Sequence, residues 1–150
     1  MIRGTLVQVN ISGGGMPKLP VAEAKVTYDG VAGDWQLDRR RHGGANRAVC
    51  LYSEELYASL REQGVDLANG QLGENFTTRG VNLLELNVGD RLRVGGGTIE
   101  ITEPREPCAN LRRWHPKLEE LLVGRSGWLA KVVREGIVQA GDAIELLEEE

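Results

Sequence analysis

The chain has 150 residues, enough for one compact domain over residues 1–150 with a core that needs no metal or disulfide staple. Eighteen basic against twenty-two acidic residues give a formal net charge of −4, without the basic excess of a general nucleic-acid binder. No apolar run approaches the roughly eighteen residues that cross a bilayer, no signal stretch opens the N-terminus, and Cys50 and Cys108 form neither a disulfide framework nor a Cys-x-x-Cys pattern. The expectation is a cytoplasmic protein in a reducing compartment, with neither membrane nor nucleic acid among its partners.

In chain order, Val7, Val9 and Ile11 alternate with Gln8 and Asn10, which predicts a half-buried strand over residues 6–11. The following segment, residues 12–20, holds three glycines and two prolines and predicts a loop. Its glycines lack the G-x-x-x-x-G-K-[ST] pattern of a phosphate-cradling loop. Ala24, Val26 and Tyr28 alternate again in a second strand that ends near Gly30, and Gly33-Asp34 opens a turn. Residues 36–47 then carry Arg39, Arg40, Arg41, His42 and Arg47 around a Gly-Gly pair with no apolar period. This stretch reads either as an oxyanion or phosphate site, built on forked guanidinium donors, or as an exposed charged loop. His42 alone defines no metal site.

Residues 48–52 predict a core strand that buries Cys50 as a packing residue. Ser53 is placed to cap a helix whose inner face is Leu56, Tyr57 and Leu60 and which Gly64 ends. Residues 70–80 are turn-rich and carry Glu74 and Asn75 between glycines, where Asn75 is suited to satisfying loop backbone. Residues 91–94 and 98–102 predict a hairpin across three glycines. Pro116 suits the first turn of a helix reaching residue 123. Residues 128–133 fit helix or strand, with strand favoured by the surrounding glycines, and residues 143–147 close the domain. Gly-Asp recurs at 33, 89 and 141 as turn chemistry, and the terminal glutamates read as a solvated tail. Many short strands with few short helices predict a mainly β, closed barrel.

The hairpin delivers the chain to residues 103–115, where Cys108 stands after Pro104 and Pro107 and among Arg105, Arg112, Arg113 and His115. The prolines stiffen the approach into extended backbone. The breaker-free run 109–114 predicts a short helix that sets Cys108 at its N-terminus, where backbone N–H groups and nearby cations favour a thiolate. A lone cysteine is also a common buried hydrophobe. The unusual setting weighs toward a reactive thiol, without deciding the matter.

The order Pro17-Lys18, Gly33-Asp34, His42-Gly43-Gly44, Ala48-Val49, Gly73-Glu74-Asn75, Gly89-Asp90, Pro104-Arg105-Glu106-Pro107-Cys108 and Gly127-Trp128 to Gly141-Asp142 resembles the MOSC domain, the family named for the C-terminal domain of molybdenum-cofactor sulfurase. The chain is similar to a small, stand-alone bacterial-type member. The resemblance implies a MOSC barrel and a role in molybdenum-cofactor or sulfur chemistry, with Cys108 as metal ligand or persulfide carrier. It further implies that Arg39, Arg40, Arg41, His42, Arg47, Arg105 and Arg112 hold the pterin phosphate or oxo groups, and that Glu74 and Asn75 orient the pterin edge. Three functions remain open on this basis: a molybdenum-dependent reductase of N-hydroxylated compounds, a persulfide carrier for cofactor or metal-sulfur cluster assembly, and a non-catalytic module that binds pterin or protein. The expected partners are the molybdenum cofactor or a small-molecule substrate, with a separate cysteine desulfurase or electron-donor protein. Pyridoxal phosphate is not expected on this chain.

Overall fold

A computed structural model describes residues 2–12, 17–34, 45–107, 109–125 and 127–148. The strands in chain order are β1 (Arg3–Ile11), β2 (Leu19–Val21), β3 (Glu23–Thr27), β4 (Gly30–Val31), β5 (Val49–Ser53), β6 (Phe76–Arg79), β7 (Arg91–Val94), β8 (Gly97–Pro104), β9 (Trp128–Arg134), β10 (Gly136–Gln139) and β11 (Ala143–Leu147). Among the described residues two α-helices join them, α1 (Glu54–Glu62) and α2 (Leu118–Leu121), with short 3₁₀ turns between. Strands β11, β7, β8, β9, β5, β6 and β1 pair in that order, and β1 pairs again with β11. This closes a seven-stranded barrel, and a mainly β, closed barrel is what the strand pattern predicted. A smaller sheet, β10-β3-β4, forms separately.

Alternation along the strands sorts two cores. Val49 and Leu51 of β5 join Leu6, Phe76, Ile99, Ile101, Ala130 and Ile144 in the inner cluster. The residues between and beside them, Cys50 and Tyr52, face the other way and pack with Leu56, Tyr57 and Leu60 of α1 and with Leu118 and Leu122. Burial of Cys50 as a packing residue is therefore as expected. So is the cap of α1, where Ser53 Oγ accepts from Leu56 N–H at 3.1 Å.

Several elements depart from the sequence pattern for identifiable reasons. Residues 19–21 form β2 instead of loop, and Pro20 is tolerated because β2 is the end strand of its sheet. The turn-rich stretch contains β6, whose Thr77 and Thr78 are buried although polar and so hid its inward face. The run after Cys108 forms a five-residue 3₁₀ turn, Ala109–Arg113, and the helix predicted from Pro116 is the single α turn Leu118–Leu121, with no side-chain cap. Strand β10 sets the apolar Ile137 and Val138 side by side, one exposed and one buried, so its sequence shows no alternation. Among the described residues no helix is long and apolar enough to cross a membrane.

Candidate functional site

Cys108 lies outside the described residues, as do Arg39, Arg40, Arg41 and His42. The chain on either side of Cys108 is described. The Arg105 N–H donates to the Gly127 carbonyl at 2.8 Å, which anchors the chain as it leaves β8. From there the Arg105 side chain hydrogen-bonds the Cys50 thiol on the outer face of β5. Burial pushes that thiol up to about 11, while Arg105 pulls it down, Glu74 adds to the rise and Lys18 opposes it. Four charged or nucleophilic side chains far apart in sequence thus share one place. At pH 8 a thiol so raised is about one part in a thousand thiolate, so iodoacetamide is expected to leave Cys50 unmodified in the folded protein. Peptide mapping after native alkylation checks this, and rapid labelling of Cys50 would contradict it.

Lys18 enters from the β1–β2 connection and meets Asp34, with Nζ to Oδ2 at 2.5 Å and both side chains only 5% exposed. Asp34 is held further by the Ser12 N–H on Oδ1 at 2.8 Å and by Asn75 Nδ2 on Oδ2 at 2.9 Å. Asn75 binds the start of β5 on both sides: its N–H donates to the Cys50 carbonyl at 2.9 Å, and its Oδ1 accepts from the Cys50 N–H at 3.0 Å. One amide therefore links Asp34 and Cys50. Gly70 completes the enclosure with φ at +96°, and a Cβ there would lie 2.3 Å from the Lys18 carbonyl. Only glycine permits that approach.

Behind Asn75, Glu74 is fully buried. Its Oε1 accepts from the Tyr57 hydroxyl at 2.7 Å, and its Oε2 accepts from Thr77 Oγ1 at 2.8 Å and from the Gly70 N–H at 3.1 Å. Burial pushes the carboxyl up to about 7 against these donors, and burial with the Glu74 charge pushes the Tyr57 phenol far above its usual range. Glu74 and Asn75 thus have their polar atoms engaged by the protein itself and stand behind the site. The other predicted residues are placed elsewhere. Arg47 pairs with Glu103 at 2.6 Å, and Arg112 is exposed and pairs with Glu119 at 3.0 Å; neither joins the Cys50 cluster. Lys18 and Asp34, read from the sequence as loop and turn residues, are the members that local reasoning missed. Their only signal was a place in the family-like order of motifs.

A separate cleft of about 380 Å³ opens between α1, residues 80–84 and Arg125. The Arg125 guanidinium is tied to the Leu121 carbonyl, Ser59 Oγ and Gln63 Oε1. One basic and one acidic side chain, Arg125 and Glu55, thus line the cleft among neutral residues.

Comparison with known proteins places this arrangement. The MOSC domain model matches residues 38–145. The chain is 33% identical to YflK of Bacillus subtilis over 139 residues, covering 89% of this chain and 63% of that protein. It is 32% identical to YiiM of Escherichia coli over 145 residues, covering 85% of this chain and 64% of that one. The chain thus spans a little under two thirds of the length of these relatives. A Gibberella moniliformis protein named reductase is 34% identical over 128 residues, 79% of this chain but 23% of its own length. The crystal structure of YiiM from Geobacillus stearothermophilus superposes with a TM-score of 0.79 at 26% identity, over 97% of this chain and 75% of that one. With the barrel, the order of motifs and the family model in agreement, the chain belongs to the MOSC domain family.

Proposed function

We propose that the chain binds the molybdenum cofactor, with the thiolate of Cys108 as the protein's ligand to molybdenum, and acts as a reductase of N-hydroxylated or related compounds. The observation that carries this reading is the convergence on Cys50 of Lys18 and of Arg105, a residue three positions before Cys108 in the sequence. A guanidinium backed by a second, buried cation suits the phosphate of a pterin cofactor. The donor set also fits a metal that arrives with its own ligands. Among the described residues no group of three or more His, Cys, Asp or Glu side chains is placed to hold a bare ion. A thiolate is a soft ligand of the kind such a metal takes. When bound, the cofactor would supply the redox-active metal; the chain's residues would hold its phosphate, and Asp34, itself held by Asn75, would fix Lys18. The relative named reductase favours this reading over persulfide transfer. A separate electron-donor protein is the partner it requires.

The test is elemental molybdenum by mass spectrometry on protein incubated with released cofactor, comparing wild type with Cys108→Ala. Metal retained by wild type and lost at least tenfold in the folded variant is the expected result. Equal retention removes Cys108 as ligand, and cyanolysable sulfur on Cys108 without metal moves the function to persulfide transfer.

A further inference from the structure

Arg47, Arg79, Arg91 and Arg112 each meet a glutamate, whereas Arg125 meets none among the described residues. Its Nε donates to the Leu121 carbonyl, its Nη1 to Ser59 Oγ at 3.1 Å and its Nη2 to Gln63 Oε1. A guanidinium carries five N–H donors and three are used here, which leaves one on Nη1 and one on Nη2. The three bonds explain why the group is ordered between α1 and the end of α2. They do not explain why it is charged, because a cation met only by neutral dipoles in a half-buried place keeps an uncompensated charge.

This guanidinium lines the cleft of about 380 Å³, together with Leu56, Val81, Leu83 and Leu84. A space of that size is in the range of small-molecule sites, which pair apolar walls with a few fixed polar groups. Leu56, Val81 and Leu83 are buried, but Leu84 is 66% exposed and offers an apolar side chain with no cover. The walls are tied together: Glu55 Oε2 accepts from the Gly80 N–H at 2.8 Å, and Asn82 Oδ1 accepts from the Leu84 N–H at 3.1 Å. Glu55 is the acid among the described lining residues. It is exposed, so water and salt screen its charge more than that of half-buried Arg125.

We propose that this cleft binds a small monocarboxylate with an aryl or alkyl body, the carboxylate taking the remaining N–H groups of Arg125 Nη1 and Nη2 and the body lying against Leu56 and Leu84. A carboxylate supplies the missing counter-charge and accepts from both nitrogens of one guanidinium. One arginine without a second cation suits a single negative charge. The arginine is already ordered by Leu121, Ser59 and Gln63, so binding costs little of its side-chain freedom. The site is independent of the role of Cys108.

The experiment is calorimetric titration of the full chain at neutral pH with three probes of one shape, 1-naphthoate, 1-naphthamide and 1-naphthylmethylamine. Saturable one-to-one binding of the naphthoate is expected, with the neutral amide about tenfold weaker, the lower end of what hydrogen bonds to a charged group contribute. Arg125→Gln is expected to erase the preference for acid over amide. Should Arg125→Gln fail to fold, Leu84→Ser serves, since it changes an exposed side chain; it is expected to weaken acid and amide alike by about threefold. Absent naphthoate binding, or equal affinity for acid and amide in wild type, overturns the site. Tighter binding of the amine assigns the cleft to a cation at Glu55 and overturns it as well. Naphthoate affinity unchanged in Arg125→Gln or in Leu84→Ser places the probe elsewhere on the protein, with the same result.

Discussion

Lys18→Met is expected to lower the unfolding free energy by about 3–5 kcal/mol, because it strands the Asp34 carboxylate in the interior. Methionine keeps the length and most of the packing of the lysine stem, so the loss reports charge and not volume. In the folded protein Asp34 keeps the Ser12 and Asn75 donors, but no cation remains bonded to it in a site that is 5% exposed. The double variant Lys18→Met/Asp34→Asn removes the stranded charge and is expected to recover more than half of the loss. Urea unfolding of the three proteins checks this. A single-variant loss below about 1 kcal/mol is the behaviour of a solvated surface pair and would contradict the buried network.

The second large effect is expected at Gly127. A Cβ there would lie 1.7 Å from the Leu51 carbonyl oxygen and 3.2 Å from the Tyr52 ring, so Gly127→Ala must drive β5 away from the start of β9. The cost is expected to be about 3 kcal/mol, and it falls where the Gly127 carbonyl holds the Arg105 N–H. Amide hydrogen exchange at Arg105 should accelerate in proportion. Gly124→Ala is the control: its φ of +78° is strained for alanine, but no atom lies within 4 Å of the added Cβ. That variant is expected to cost only about 1 kcal/mol and to leave Arg105 exchange unchanged. Similar losses in the two variants would show that backbone strain, and not the contact with β5, sets the requirement for glycine.

Much of the barrel was readable because the signals are local: β1 and β8 alternate, β5 is a short apolar run, and the glycines around β9 favour a strand. β6 was not, since its Thr77 and Thr78 are polar yet buried, and the partner that meets Thr77 from a distant segment is Asn10. The same division runs through the site. Arg105 announced itself beside Cys108 in a loop stiffened by two prolines. Lys18 follows a glycine-rich run and Asp34 sits in a Gly-Asp turn like two others in the chain, so nothing local separates them from solvent-facing loop residues. Their pairing is a product of chain closure around β1 and β6. Arg47 and Arg112 looked equivalent to Arg105 by charge alone, and the acids that claim them, Glu103 and Glu119, become their neighbours only in the folded chain.

The closing contact between β1 and β11 has a consequence for biosynthesis. Residues 3–5 pair with residues 143–145, and β11 also pairs with β7. Until the last of these strands leaves the ribosome, β1 and β7 each present an open edge, and the inner cluster lacks Ile144. Such edges recruit other chains, so this barrel is most exposed to aggregation during synthesis in the interval just before β11 arrives. Translation pauses placed there would be more damaging than the same pauses earlier in the message.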